Sequence, residues 1–494
     1  QQRGKIYFRD IGDYLTREKK LKTIKEFGSI NGITRSKQGW QIITPDKHGD
    51  WLGQRDNNFK AFLAIGDKGD KKGHGKKLFE NFSCGVVTSR DAWVYNSSHE
   101  VLAKNISNMI AFYNSEVKRF NNAYGHVDRR IRKNAVDNFV NTDTRKISWS
   151  RALKQDLAKG KVFKFEATCL MQSLYRPFTQ QWLYYNRAFN EMVLQMPRIF
   201  PIGETVENMV IQITGIGARR FSVLMNKALP SLDAIEKGQC FPRYFYEHTP
   251  VSKSKNKNQS LLFTNSIEES TTAGLQRRDA ITDEGLEHFK AAYPNQIITK
   301  DDLFYYVYGI LHSEDYRARY ADNLCKELPR IPCVKTAEDF WMFVTAGREL
   351  GHLHVNYETV EPYPVTFKKG NPKVTEISNP EEFYYVTEMK FAGNNKEKDK
   401  SIVFYNNNII MTDIPLDAYE YIVNGKPALE WVMGRQCVKT DKKSGIVNDA
   451  NRYAVETVGN PAYPLELFQR VITVSLETMK IVKNLPKLVL RETE

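Results

Sequence analysis

Apolar residues recur every three to four positions in several segments of the chain, and this spacing predicts amphipathic helices. The clearest segment is 100–123, where Val101, Ile106, Met109, Tyr113 and Phe120 fall at helical spacing. Further helices are predicted at 14–27, 149–159, 281–293, 301–311, 313–324, 336–350, 418–424, 428–436 and 465–485.

Shorter apolar or alternating runs predict strands. They lie at 5–10, 78–96, 163–170, 209–217, 238–246, 353–357, 365–368, 383–391, 401–405 and 409–411. No internal repeat is visible. The pattern predicts an α+β fold, a mixed multi-subdomain region with short β-sheets and helical segments.

Two polar segments are predicted to divide the chain. Residues 66–77 are rich in Gly and Lys, and residues 251–280 are rich in Ser, Asn and Lys, so neither segment has much to bury. A chain of 494 residues is also too long for one core. We therefore expect four parts: 1–75, a tail and linker; 76–250, a first subdomain; 251–282, a loop or partly disordered insert; and 283–494, a second subdomain.

Charge favours a polyanionic partner. The chain has 72 Lys and Arg against 58 Asp and Glu, a formal net charge of +14. Such an excess releases counterions from a polyanion, but it does not separate DNA from RNA or from an acidic membrane surface. The sequence shows neither a run of eighteen apolar residues nor a signal peptide. The 6 cysteines form no C-x-x-C pair and are typical of a reduced, cytoplasmic protein.

Two Gly or Pro motifs weakly resemble methyltransferase motifs. Gly215-Ile216-Gly217 follows an apolar run, as in cofactor-binding turns, but no acidic residue ends a suitable next strand. Asn460-Pro461-Ala462-Tyr463 differs by one residue from N-P-P-Y, which holds a flipped adenine, but it follows no apolar strand. A tight turn is the favoured interpretation of both.

Acidic and histidine residues also fall short of a catalytic pattern. Glu381, Glu388 and Lys390 imitate the acid and Lys pattern of metal-dependent nucleases at a spacing that is short for one metal. His352 and His354 would share one face of a predicted strand, without a third ligand in register. We therefore predict no catalytic residue, cofactor-binding residue or metal ligand in this chain.

The stretch 174–187, LYRPFTQQWLYYNR, has five aromatic residues, two arginines and a proline. Such a segment either forms a corner of the core or grips a nucleic acid by stacking and phosphate contacts. The residue pattern alone leaves both interpretations open.

Six motifs occur in a fixed order along the chain. They are TSRDAWVYN at 88–96, YRPF at 175–178 with YY at 184–185, GQCFP at 238–242, LHS at 311–313 with YR at 316–317, LPRIP at 328–332, and KTDKKSGIVND at 439–449. Together they resemble the C-terminal specificity region of type ISP restriction-modification enzymes.

The resemblance implies a role in a larger bacterial enzyme. Complete members are single chains with a nuclease, a helicase-like ATPase motor, an adenine-N6 methyltransferase and a target-recognition domain. This sequence has no ATPase motif and begins at Gln1, so we expect the C-terminal part only, with residues 5–10 as a remnant of the methyltransferase sheet. The implied partners are double-stranded DNA and the upstream methyltransferase and motor domains. S-adenosylmethionine, ATP and Mg are expected only for the full-length parent.

Phosphate contacts are expected from basic clusters and from cations within the motifs. The candidates are Lys71, Lys72, Lys76, Lys77, Arg90, Arg129, Arg130, Arg132, Arg176, Arg187, Arg219, Arg220 and Lys442. Arg90 with Asp91 could instead form an internal ion pair. Since proteins that read different sequences share stretch 174–187, its Pro177, Phe178, Trp182 and Tyr184 are expected to build a framework.

Two alternatives stay open. One is a complete DNA-modifying enzyme, a methyltransferase using Gly215 and Asn460 or a nuclease using Glu381, Glu388 and Lys390. The other is an RNA-binding or scaffold protein.

Overall fold

The computed structural model of the chain describes residues 4–12, 15–67, 69, 76–248, 274–370, 377–394 and 397–491. Lys71 and Lys72 lie outside the described residues, as does the segment 251–273 of the predicted insert. Among the described residues, no helix is long and apolar enough to cross a membrane.

The N-terminal segment pairs its first strand with a second one that the sequence pattern did not predict. Its elements are β1 (Ile6–Phe8), α1 (Arg17–Phe27), α2 (Ile30–Arg35) and β2 (Gln41–Ile43). Strands β1 and β2 are antiparallel, with Ile6 opposite Ile43. The predicted strand at 5–10 and helix at 14–27 are confirmed, whereas a place for β1 in a methyltransferase sheet stays a prediction.

Long helices and short strands follow up to residue 248. They are β3 (Leu63–Ala64), β4 (Ser83–Cys84), α3 (Asp91–Val94), β5 (Tyr95–Asn96), α4 (His99–Tyr124), α5 (Arg129–Phe139), α6 (Arg151–Ala158), β6 (Leu170–Arg176), β7 (Thr179–Tyr184), α7 (Met196–Ile199), β8 (Val210–Ile213), β9 (Val223–Asn226), β10 (Leu229–Pro230), β11 (Gln239–Pro242) and β12 (Tyr244–His248). Helix α4 confirms the prediction at 100–123. It begins at Ser98, whose hydroxyl accepts a hydrogen bond from the Val101 N–H.

Helices dominate the next part, and strands return near the end. The elements are β13 (Leu275–Asp279), α8 (Asp283–Ala292), α9 (Lys300–Ile310), α10 (Glu314–Arg319), α11 (Ala321–Leu324), β14 (Arg330–Ile331), α12 (Ala337–Val355), β15 (Thr366–Lys369), α13 (Pro380–Tyr384), β16 (Lys390–Gly393), β17 (Lys398–Phe404), β18 (Ile410–Thr412), β19 (Ile422–Val423), β20 (Lys426–Pro427), α14 (Ala428–Arg435), β21 (Val438–Thr440), β22 (Val447–Asp449), α15 (Ala450–Tyr453) and α16 (Tyr463–Lys483).

The larger sheets have four strands each. Their orders are β10-β6-β7-β5, β4-β11-β8-β9 and β15-β18-β17-β16. The described part of the chain thus combines helices with several short sheets, and the predicted α+β class is confirmed.

Three predicted strands are wrong, and one predicted loop contains a strand. Residues 353–357 end α12 and pass into a turn, because the helix continues past the Gly351 at which it was expected to stop. Most of 383–391 is not extended, because Asn379 caps a short helix that starts at Pro380. In 163–170 only the last residue is in a strand. Residues 275–279, expected to lie in a loop, pair with β12.

Buried apolar residues form two clusters. The first includes residues from 59 to 350 and crosses the predicted insert: the Phe79 and Phe304 ring centroids lie 6.3 Å apart. The second joins residues of 357–474 to a few from the first half. The four-part domain division stays a prediction, and buried contacts change from one cluster to the other near residue 356.

The hairpin β6–β7 belongs to both clusters. Its open end, with Leu170 and Tyr184, is buried in the first cluster, and its turn end, with Leu174 and Phe178, is buried in the second. The Phe178 ring lies 5.2 Å from that of Tyr357, with the Phe178 backbone at φ 54°. Such a conformation costs free energy in a non-glycine residue, and the surrounding packing must hold it.

Helices α9 and α12 cross with their backbones in contact. A Cβ added to Gly347 would lie 1.9 Å from the Tyr305 carbonyl oxygen, and one added to Gly309 would lie 2.2 Å from that of Phe343. Only glycine permits this approach, and it brings the buried His354 within 2.5 Å (Nδ1 to hydroxyl oxygen) of Tyr308.

The His354 ring also hydrogen-bonds through Nε2 to the Thr478 hydroxyl at 2.8 Å. Burial lowers the pKa of His354 to about 3 and lowers the pKa of the neighbouring His312 as well. Because burial disfavours the charged imidazolium, both rings are neutral in the folded protein at neutral pH.

We predict that acid destabilises the fold partly through His354. In the unfolded chain this histidine titrates near 6.5, so between that pH and about 3 the unfolded state binds the extra proton and stability falls with falling pH. His354→Gln should remove the uptake of this one proton on unfolding. The slope of the unfolding free energy against pH should then fall by about 1.4 kcal/mol per pH unit. Urea unfolding measured from pH 7 to pH 4.5 tests it, with the exposed His352→Gln as control. An unchanged slope would contradict it.

Candidate nucleic-acid interface

Three of the six sequence motifs meet at one cleft. Motif 88–96, motif 175–178 and motif 439–449 each contribute to its lining, together with the end of α14. We call it the motif cleft, and it is lined by Asp91, Ala92, Tyr95, Tyr175, Gln181, Arg435, Cys437, Lys439, Thr440, Asp441, Ile446 and Asn448.

The hairpin β21–β22 forms one wall of the motif cleft. Its turn is closed by Asp441, whose carboxylate accepts hydrogen bonds from the Ser444 N–H (2.8 Å) and hydroxyl (2.7 Å). These bonds hold the pKa of Asp441 below its ordinary value. The turn presents Lys442 and Lys443 at the exposed tip of the hairpin.

The hairpin is fixed to the first half of the chain by polar contacts. The Ser97 N–H donates to the Asn448 side chain (2.7 Å), and the Asn96 amide donates to the Val447 carbonyl (3.1 Å). The Thr144 hydroxyl donates to the Lys443 carbonyl at 2.8 Å. Residues about 300 positions apart in sequence therefore form one surface.

A second concave surface also borders the hairpin. We call it the helix groove, because α4 contributes much of its lining: Trp93, Asn96, Val101, Asn105, Asn108, Phe112, Arg145, Lys146, Ser444, Gly445, Ile446, Val447, Asp449 and Arg452. Arg145 and Lys146 are exposed there, close to the hairpin tip. The sequence pattern did not predict these two cations as candidates, nor Lys439, Lys443 and Arg435. The only available signal was the run of basic residues in motif 439–449.

Arg176 is used mainly inside the protein. Its side chain is 13% exposed and lies 3.6 Å from the Asp91 carboxylate. It donates to the Tyr175 carbonyl (2.7 Å), and its guanidinium carbon lies 4.1 Å from the centre of the Tyr175 ring. A phosphate contact would have to compete with these bonds.

Arg90 does not pair with Asp91, so that alternative is wrong. It is 4% exposed and donates to the Phe189 carbonyl at 2.9 Å. Burial lowers the pKa of Arg90 to about 10. Asp91 instead accepts hydrogen bonds from the Thr88 hydroxyl and from Tyr175 (3.3 Å). Arg90 therefore supports the first core and does not face solvent.

The basic cluster on α5 divides into two groups. Arg129, Arg130 and Lys133 are exposed. Arg132 instead donates to the Ala158 carbonyl (2.8 Å), to Tyr124 and to Asn121. The first group can reach a phosphate, whereas Arg132 joins α5 to α4 and α6.

The other candidate cations come from parts of the chain that do not line the motif cleft. Lys76, Arg187, Arg219 and Arg220 are exposed, and Lys77 is half-buried. None of them lines the motif cleft or the helix groove.

In the glycine turn before Arg219 and Arg220, backbone N–H groups form hydrogen bonds with other loops of the protein. The Gly215 N–H donates to the Glu236 carbonyl (3.0 Å), and the Gly217 N–H donates to the Cys325 carbonyl (2.9 Å). The interpretation of Gly215-Ile216-Gly217 as a tight turn is confirmed.

The other weak motifs are also structural in the described residues. Tyr463 is buried and donates to Glu358 at 2.5 Å, so the Asn460 turn begins α16. Glu388 and Lys390 form an exposed ion pair of 3.0 Å. Within the described ranges, no group of three or more His, Cys, Asp or Glu residues is arranged to hold a metal ion.

His352 and His354 were expected on one face of a strand. They lie in the last turn of a helix, where residues two apart point in different directions. His352 is exposed and His354 is buried.

A family model described as "Type ISP C-terminal specificity domain" matches residues 77–467. The chain belongs to this family. A comparison with curated proteins finds no match. The match to the family model confirms the resemblance inferred from the six motifs.

Solved structures, two of them of type ISP restriction-modification enzymes (LlaGI and LlaBIII), share the fold of this specificity domain. A nuclease-deletion mutant of LlaGI in complex with a DNA substrate mimic is 34% identical with a TM-score of 0.79, matching 99% of this chain and 33% of that one. LlaBIII bound to DNA is 31% identical with a TM-score of 0.79, and the match covers 99% of this chain and 28% of the LlaBIII chain. The matching chain of a DrdV–DNA complex is 31% identical with a TM-score of 0.76, and the match covers 98% of this chain and 44% of that chain. The chain spans about a third of the LlaGI chain that it matches.

We predict that Arg176→Ala mainly lowers the stability of the specificity domain. The substitution leaves the Asp91 carboxylate without its ion pair and uncovers the Tyr175 ring, which should cost about 1–3 kcal/mol. Urea unfolding measures the change, with the exposed Arg187→Ala as the matched control. Unchanged stability with weaker DNA binding would instead assign Arg176 to a phosphate contact.

Proposed function

We propose that this chain recognises a specific sequence of double-stranded DNA as the specificity part of a restriction-modification enzyme. Its membership of the type ISP specificity family carries this proposal. Enzymes that share its fold over nearly the whole chain have been solved bound to DNA or to a DNA mimic.

The surface around hairpin β21–β22 suits this role. Lys442 and Lys443 at its tip, with Lys146 beside them, supply positive charge for the phosphate backbone. The concave surfaces beside it are lined by amides such as Asn105 in the helix groove and Asn448 in the motif cleft. Amide side chains can hydrogen-bond base edges, so phosphate contacts and base readout would come from adjacent parts of one surface.

Other exposed or half-buried cations would extend the contact with the phosphate backbone. The proposed phosphate contacts are Lys76, Lys77, Arg129, Arg130, Lys133, Arg187, Arg219, Arg220 and Lys442 from the sequence, with Arg145, Lys146 and Lys443 from the structure. Arg90, Arg132 and Arg176 would act on DNA only indirectly, by holding the elements that carry these residues.

The rest of the enzyme is proposed by analogy with the family. Nuclease, ATPase motor and adenine-N6 methyltransferase domains would precede this chain in one polypeptide, and S-adenosylmethionine, ATP and Mg would bind there. We also propose a cytoplasmic location, where the DNA substrate is found and where the 6 cysteines would stay reduced.

Competition binding tests the proposed function. The chain is incubated with a labelled random duplex pool, and the bound DNA is selected, sequenced and re-measured at several salt concentrations. A recovered motif that binds at least about tenfold tighter than random duplex, with RNA competing poorly, is the expected result. Equal affinity for all duplexes, or for RNA, would contradict sequence-specific recognition.

We predict that Lys442→Gln/Lys443→Gln weakens binding to all duplexes by a similar factor. Loss of two phosphate contacts should reduce the slope of log affinity against log salt by about 1.8, because each contact contributes about 0.9. Fluorescence anisotropy across a salt series measures the slope. Lys369→Gln/Lys480→Gln, which removes two other exposed lysines, is the charge-matched control. An unchanged slope would show that the hairpin tip does not touch the backbone.

A further inference from the structure

Arg435 in the motif cleft has an unusual environment. It ends α14 and is half-buried between two aromatic rings, with its guanidinium carbon 5.7 Å from the Tyr175 ring centre and 5.9 Å from that of Trp431. The rings attract the positive charge, but neither of them accepts a hydrogen bond from its five N–H groups. Within the described part of the chain, no carboxylate forms an ion pair with it and no side-chain hydrogen bond to it is found.

Other cations surround Arg435. The Lys426 ammonium lies 3.9 Å from the centre of the Trp431 ring, and the Lys439 ammonium donates to the Gly434 carbonyl at 2.7 Å. Burial, and then the nearby Arg176, lower the pKa of Arg435. Burial, and then Arg435, lower the pKa of Lys426. The positive charges are thus close enough to repel one another.

The nearby carboxylates are already engaged. Asp91 pairs with Arg176 at 3.6 Å, and Asp441 closes the hairpin turn through Ser444. Glu430 forms its ion pair with Lys400 at 2.8 Å. A half-buried, uncompensated positive charge is costly without an anion, because desolvation weakens its hydration and no protein group replaces it.

We propose that the motif cleft binds one phosphate diester of the DNA backbone, held by Arg435 with Lys439. This inference rests on the proposed function. Guanidinium groups bind phosphate oxygens through two parallel hydrogen bonds, and those of Arg435 are available in the cleft. A phosphate held here would place the adjacent bases near Asn448 of the same cleft. Arg435 is a binding residue that positions the duplex and does not itself distinguish bases.

The first experiment compares Arg435→Gln with Arg435→Lys and with the exposed Arg319→Gln as control. Arg435→Gln should weaken binding to specific and random duplexes by the same factor, about tenfold, and reduce the salt slope by about 1. Arg435→Lys should keep the slope while losing part of the affinity. A loss confined to the specific duplex would overturn the proposal in favour of base readout.

A second experiment locates the phosphate. Duplexes carrying one neutral methylphosphonate are scanned along the site that the competition experiment recovers. One position should weaken binding by the native chain more than it weakens binding by Arg435→Gln, since both changes remove the Arg435 contact while the Lys439 contact is lost only with the phosphate charge. If every methylphosphonate weakens both proteins equally, the proposal fails while DNA recognition stands.

A third measurement does not depend on DNA. Inorganic phosphate, titrated against the native chain at constant ionic strength, should raise the unfolding temperature, and Arg435→Gln should abolish that increase. Phosphate stabilisation without DNA binding would keep the anion site and reject the proposed function. DNA binding that does not depend on Arg435 would reject the phosphate site and keep the proposed function. All variants are compared only after their unfolding temperatures in buffer have been measured.

Discussion

The hairpin β6–β7 is the constraint on which the rest of the structure depends, because it is buried in two hydrophobic clusters at once. Its open end packs in the first cluster and its turn end in the second, with Phe178 against Tyr357. This short antiparallel pair therefore ties the two clusters together. The motif cleft lies at this junction, since Tyr175 and Gln181 of the hairpin line it. A change in hairpin register would move the cleft wall and the core together.

Arginines in this protein have two distinct uses. Arg90, Arg132 and the half-buried Arg317 donate to backbone carbonyls and fix loops or helix ends. Such groups add to the net charge without presenting it to a ligand. Arg435 differs, because two aromatic rings lie near its guanidinium group while its N–H groups lack protein acceptors within the described residues. The excess of +14 is therefore a poor guide to individual contacts, and partners decide which cations can bind DNA.

The organisation of the motif cleft separates framework from recognition. Segments far apart in the chain meet there, and their buried residues belong to the cores, while the side chains around the hairpin β21–β22 point into concave surfaces. Surface side chains can change without repacking a core, because they contribute little buried area.

The sequence by itself determined the long helices, such as α4 and α16, the fold class and the family, since helical periodicity and ordered motifs are local properties of the chain. Tertiary structure decided what depends on distant partners. Whether α12 ended at Gly351 depended on packing against α9, and whether Arg90 or Arg132 faced solvent depended on carbonyl groups elsewhere in the chain. The meeting of motifs 88–96, 175–178 and 439–449 depended on contacts across hundreds of residues, for which no local pattern carries a signal.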